Sequence, residues 1–239
     1  MPRRATRRYI ERVAKDVLVD TLGTKYVDFA LFLPSHAGQA PQYDVFGLTE
    51  NIPKFRNDSD DQKNDRTHRL TDDILMRSLQ LKLNIKNRPG SSGQAQQDPG
   101  DIRVMIIETN TDVQLTGANQ LATILTAFKP TAANQGTRSF YTTSSGDPNY
   151  AGPYKIIYDR MHYFRSTAQS SFARIYINKV YRYRYGKRIS WTSDSEITPS
   201  RNHWWCAIIG GWTGAGYSTA TNVIKYEATA NWRIRWVDS

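Results

Sequence analysis

From Ile224 to Trp236 the chain alternates without a break. Ile224, Tyr226, Ala228, Ala230, Trp232, Ile234 and Trp236 hold the even positions, and Lys225, Glu227, Thr229, Asn231, Arg233 and Arg235 stand between them. Successive side chains of a strand point to opposite faces, so a period of two describes a strand with one face on a core and the other in water. A surface helix would instead repeat its apolar residues three and four apart. The same period recurs in "LMRSLQLKLNIK", where Leu75, Leu79, Leu81, Leu83 and Ile85 are apolar and Ser78, Gln80, Lys82, Asn84 and Lys86 are polar. It recurs again from Ala173 through Ile175, Ile177, Tyr181, Tyr183 and Tyr185, broken only by Lys179.

Two stretches, "IRVMIIE" (102–108) and "WWCAII" (204–209), are continuous apolar runs, the pattern of strands buried on both faces. "PYKIIYDRMHYF" (153–164) is also rich in strand formers, whereas "ANQLATILTAF" (118–128) reads as a short helix ending before Pro130. With connecting segments such as "RPGSSGQAQQDPG", the pattern gives about seven or eight strands in a β-sandwich or barrel. No fixed-period repeat marks a propeller or solenoid.

The chain is long enough to close such a core. It has 239 residues, 39% of them hydrophobic, with six Trp, fourteen Tyr and eight Phe. No apolar run approaches the ~18 residues that span a bilayer, and no signal peptide opens the sequence, so no membrane partner is expected. The single Cys206 excludes an intrachain disulfide and a cysteine-rich zinc site. Synthesis inside the cell is the resulting expectation.

The net charge of +10 is concentrated. Residues 1–15 carry Arg3, Arg4, Arg7, Arg8, Arg12 and Lys15 against Glu11. Residues 179–188, "KVYRYRYGKR", carry Lys179, Arg182, Arg184, Lys187 and Arg188 and no acid. These two segments account for the whole excess, because the remaining 21 basic and 21 acidic residues cancel. A localised surplus points to a polyanion, nucleic acid first.

The first segment reads as a basic arm running into an amphipathic helix, with Ile10, Val13, Val17 and Leu18 on one side. Its acids Glu11, Asp16 and Asp20 argue against a mitochondrial presequence, and "PRRATRR" fits a nuclear-import signal. In the second segment, strand geometry puts Tyr181, Tyr183 and Tyr185 on one face and Arg182 and Arg184 on the other. The tyrosines are expected to pack and the arginines to meet nucleic acid or an acidic neighbour. A charged edge that deters aggregation would show the same pattern.

The order of pieces carries a resemblance. "NDRTHRLTDD" leads into the alternating "LQLKLNIK"; then come "IRVMIIETNTD", "LATILTAF" and "YKIIYDRMHYF". Over roughly residues 66 to 237 this resembles the single jelly-roll capsid proteins of the satellite tobacco necrosis virus type. Related coats enclose small circular single-stranded DNA viruses that encode a replication initiator. Arg66 and Arg69 lack the glycine that often follows arginine before the first core strand of that family.

The resemblance implies an all-β, eight-stranded antiparallel jelly-roll sandwich (26–239) with a basic N-terminal helix or arm (1–25) and a short inserted helix. Sixty copies would close an icosahedral shell, with no enzymatic activity. Arg3, Arg4, Arg7, Arg8, Arg12 and Lys15, with Arg182, Arg184, Lys187 and Arg188, are the expected contacts to a single-stranded genome, DNA favoured over RNA. The implied location is the virion, with passage through the host nucleus during assembly. No cofactor is expected; calcium between subunits is compatible with a shell but not indicated, and no receptor can be read.

Several motifs dissolve on inspection. "GWTGAGYS" has P-loop glycine spacing but Tyr217 in place of the lysine. "DSDDQK" has Lys63 where a calcium loop needs glycine, and Arg69 where it needs glutamate. Asp159 and His162 lie three apart, on opposite faces of a strand. His36, His68 and His203 have no partner at metal-ligand spacing, and Cys206 reads as a small buried hydrophobe. Two other functions stay open: a carbohydrate-binding jelly roll with Trp204, Trp205 and Trp212 as a sugar platform, and a cellular nucleic-acid-binding β-barrel.

Overall fold

The computed structural model describes residues 23–34, 43–54, 67–88, 101–109, 154–164, 174–192, 197–210 and 225–239. Eight strands run in chain order: β1 (Lys25–Leu33), β2 (Tyr43–Gly47), β3 (Asp73–Arg88), β4 (Asp101–Thr109), β5 (Tyr154–Tyr163), β6 (Arg174–Ser190), β7 (His203–Gly210) and β8 (Lys225–Asp238). They form two four-stranded sheets, ordered β1-β8-β3-β6 and β2-β7-β4-β5, and every pairing is antiparallel. Each sheet draws two strands from each half of the chain, in the double Greek-key order of a jelly roll. The expected sandwich is therefore the observed architecture. The basic arm and the helix expected over 118–128 lie outside the described residues.

The alternation of β8 places Tyr226, Ala228, Ala230, Trp232, Ile234 and Trp236 in the core opposite Leu79, Leu81, Leu83 and Ile85 of β3. Ile102, Val104 and Ile106 of β4 and Trp204, Cys206 and Ile208 of β7 close it from the second sheet. The continuous runs behave as expected of strands covered on both sides: Met105, Ile107, Trp205 and Ala207, on the other face of β4 and β7, are buried too. Two polar atoms inside the core have partners across it. Tyr226 Oη donates to the Ile208 carbonyl at 2.8 Å, and Trp232 Nε1 donates to that of Leu48 at 2.8 Å. Each such bond satisfies a group that would be costly to bury alone.

Two features do not show in the side-chain period. β1 and β2 precede the first alternating stretch read in the sequence. In β1, Tyr26, Ala30 and Phe32 occupy the wet face, so apolar residues stand on both sides and the period blurs. Leu75 does not share a face with Leu79 either. The register slips between Met76 and Ser78, so Ile74 and Met76 are the buried residues before the bulge and Leu79, Leu81 and Leu83 after it. A one-residue bulge reverses which face later side chains meet.

An ion pair ties the two chain-distant ends of this sheet together. Lys25 Nζ lies 2.6 Å from Asp238 Oδ2, both side chains nearly buried, and also donates to the His68 carbonyl at 3.0 Å. The other Asp238 oxygen accepts from the Leu70 amide at 3.0 Å.

Candidate nucleic-acid interface

The basic run lies in β6, an edge strand that pairs with β3 along one side. The core-facing positions before the bulge are Ile175, Ile177, Tyr181 and Tyr183. Tyr181 and Tyr183 both meet Trp204 edge-on, with ring centroids 5.5 and 6.0 Å away. Burial pushes both phenols up to about 12, so they stay neutral and pack.

Tyr185 departs from that face. Ser78 pairs with Arg182 while Met76 pairs with Lys187, so four residues, 183–186, stand opposite the single Arg77 and the strand bulges beyond Tyr183. Arg77 Nη1 fills the gap by donating to the Arg184 carbonyl at 2.7 Å. Gly186 makes the turn possible: its φ is +77°, and a Cβ there would stand 2.7 Å from Leu75 Cβ. The result leaves Tyr185 53% exposed, with the Arg184 guanidinium 5.5 Å from its ring centroid.

The four basic candidates of this strand divide in two. Lys187 turns inward and pairs with Glu108 at 2.5 Å; the Glu108 side chain is 2% exposed. Arg188 grips Asp73 with two bonds, Nε to Oδ1 at 3.2 Å and Nη2 to Oδ2 at 2.5 Å. That Arg188 contact, with a Ser190 hydrogen bond, holds the Asp73 carboxyl below its ordinary value. Arg182 and Arg184 are exposed and have no acidic partner among the described residues. Lys179, on the core side, sits 4.6 Å from the Tyr158 ring centroid. Arg3, Arg4, Arg7, Arg8, Arg12 and Lys15 lie outside the described residues.

The sequence reading left out the neighbours that pairing brings to Arg182. Ser78 is flanked by Arg182 on one side and Arg235 on the other, and Lys82 lies on the same face of β3. Arg233 and Arg235 fall among the charges that cancel in the sequence count. Their alternation with core residues marks them as outward, but strand order alone puts them across β3 from β6.

The remaining chemistry-bearing side chains are structural. Asp159 accepts two bonds from Arg103, at 2.7 and 2.5 Å, whereas His162 Nε2 meets Tyr158 Oη at 3.1 Å on the opposite side of β5. Burial lowers the pKa of His162 and raises that of Cys206, which is fully buried. Among the described residues no group of three or more His, Cys, Asp or Glu side chains is placed to hold a metal ion. Trp204 and Trp205 are both 0% exposed, so neither can serve a sugar platform. Trp212, "GWTGAGYS" and "DSDDQK" lie outside the described residues.

No family model matches the chain, and no curated protein matches it. Among solved structures it is similar to the BFDV capsid protein in a decameric crystal structure, at 8% identity and a TM-score of 0.29, covering 90% of this chain and 96% of that one. It is also similar to the BFDV capsid protein in a 60-mer crystal structure, at 7% identity and a TM-score of 0.26, covering 90% of this chain and 92% of that one. Similarity of this degree decides neither fold nor function.

Proposed function

We propose that this chain is a viral capsid protein. Copies of it close into a small icosahedral shell, sixty in the simplest case, and package a single-stranded nucleic acid, DNA favoured, through cationic side chains. The observation that carries the reading is the jelly-roll strand order in a chain whose whole charge surplus sits in a terminal arm and one edge strand. Jelly rolls serve both coats and lectins. The burial of Trp204 and Trp205 removes most of the lectin's platform, and a sugar-binding domain has no use for a basic arm.

Arg3, Arg4, Arg7, Arg8, Arg12 and Lys15 would neutralise phosphates and release counterions, an attraction independent of base sequence. Arg182 and Arg184 would add to it from the folded domain. Lys187 and Arg188 are already engaged by Glu108 and Asp73, which supports reading them as structural. The single-stranded DNA preference follows the resemblance to small circular DNA virus coats and the expanded loops. Residence in the virion, with nuclear import through "PRRATRR", belongs to the same reading. The chain would act without catalysis.

Deleting residues 2–15 tests the arm. Particles of the truncated protein are expected to hold much less nucleic acid, read from their absorbance ratio at 260 and 280 nm. Loss of six cations should also flatten the log K against log salt slope for single strands by about four. Normal cargo in truncated particles would refute the arm's role.

A further inference from the structure

Strand register assembles a surface that no single segment announces. On the outer face of the β1-β8-β3-β6 sheet, paired positions bring together Arg174, Arg182, Lys82, Lys86, Arg233 and Arg235. The acids on the same rows are Asp28 and Glu227. Six cations against two acids leave a surplus of four on one face. Asp28 is spoken for, since Arg233 binds it through two bonds of 2.6 Å. Arg182 and Lys82 are exposed and have no acidic partner among the described residues, and Arg235, also exposed, makes no ion pair there but lies near enough to Asp28 to help lower its carboxyl pKa. Arg182 and Arg235 flank Ser78 across two strand spacings, about 9–10 Å. A shallow concavity of about 420 Å³ lies beside them, lined in part by Asp28, Gln80, Lys82, Asn231 and Arg233.

Aromatic side chains stand at the borders of this face. Tyr26, on the row of Arg235 and Arg182, is 42% exposed, and Tyr176, on the far strand, is 68% exposed. Exposed tyrosines on a wet, cationic sheet add nothing to the core. Their rings do suit bases that have left a helix, since stacking on an aromatic ring needs only a base's π-face. A duplex hides those faces, and an acidic protein surface lacks them.

We propose that this outer face is a track for single-stranded nucleic acid, with Arg182, Arg235 and Lys82 taking phosphates and Tyr26 and Tyr176 stacking bases. The inference rests on the packaging reading above and assigns the folded domain's share of the contact to one sheet. It also extends the cationic site beyond the basic run of β6 to residues of β3 and β8.

The test uses the full-length chain and a fluorescein-labelled oligothymidylate, with binding followed by anisotropy across a salt series. Arg182→Gln/Arg235→Gln is expected to flatten the salt slope by about 1.4, at 0.7 per cation lost from a single-strand contact. Lys155→Gln/Arg160→Gln removes the same charge from exposed positions of β5, in the other sheet, and should leave the slope at its wild-type value. Tyr26→Ala/Tyr176→Ala should weaken single-strand binding about tenfold or more and leave duplex binding unchanged. All these side chains are exposed, so thermal melts should coincide with wild type. Equal flattening by the β5 pair, or a wild-type slope in Arg182→Gln/Arg235→Gln, overturns the proposal. So does loss of particle assembly with oligonucleotide binding intact, which would make the face a subunit contact. If wild-type protein packages and binds single strands while the face variants match it, only the track is wrong. If wild-type protein neither assembles nor binds, the packaging reading falls with it.

Discussion

Replacing Lys187 with alanine is expected to destabilise the fold by about 3 kcal/mol, although the residue sits in the most basic run of the chain. Its ammonium faces Glu108 at 2.5 Å, and the Glu108 side chain is 2% exposed. Removing one partner of a buried pair strands the other charge in a medium that solvates it poorly, at a cost of about 3–5 kcal/mol. The lower end applies because the Lys187 side chain keeps 30% of its exposure. Arg182→Ala, on the wet face, should change stability by no more than about 0.5 kcal/mol. The double change Lys187→Met/Glu108→Leu should recover most of the loss, since an apolar pair of similar volume often replaces a buried ion pair without penalty. Urea unfolding followed by tryptophan fluorescence checks all three. A Lys187→Ala protein of wild-type stability but weaker oligonucleotide binding would return Lys187 to the nucleic-acid surface.

Acid should weaken the fold well before its surface carboxylates are all protonated. His203 is buried, its ring 3.9 Å from that of Trp205, and burial drives its pKa from 6.5 down to about 3. The unfolded chain takes up a proton at this residue below about pH 6.5, while the folded chain resists until about pH 3. Stability is therefore full above that window and falls as pH drops through it, by as much as about 3–5 kcal/mol. Glu50, 3.8 Å from His203 Nε2, works the other way. Burial raises its pKa, so its neutral form suits the fold in acid and that contribution fades as pH rises. His203→Gln should have a visibly flatter stability profile between pH 6.5 and 4 than wild type; superimposable profiles would show that His203 titrates freely in the folded protein.

The legible part of the structure was the part written in side-chain period. β8 and most of β3 alternate cleanly because each has one wet face, and β4 and β7 run apolar because both their faces are covered. β1 was hidden by Tyr26, Ala30 and Phe32 on its outer side. The bulge between Met76 and Ser78 moved Leu75 out of the face that strict alternation assigned it, and no local signal announced the slip. Gly186 is the sole hint, a residue able to take positive φ in the middle of a tyrosine-arginine strand.

Charge was harder to read than hydrophobicity, because its meaning depends on residues distant in the chain. Nothing near Lys187 shows that Glu108 lies opposite it, and nothing near Arg235 shows that Arg182 is two strands away. Composition found a surplus, while pairing decided which cations are spent on the fold and which face water. Arg188 and Arg182 differ only in that respect: Asp73 holds the first, and no described acid holds the second.

The central claim is that these sandwiches tile into a closed shell around nucleic acid. Sedimentation velocity of the expressed full-length protein, with negative-stain microscopy of the fastest fraction, measures it directly. Sixty copies of a 27.3 kDa chain predict a uniform spherical particle of about 1.6 MDa of protein, carrying nuclease-protected single strands. A stable monomer or small oligomer at high concentration, with or without bound nucleic acid, would contradict it.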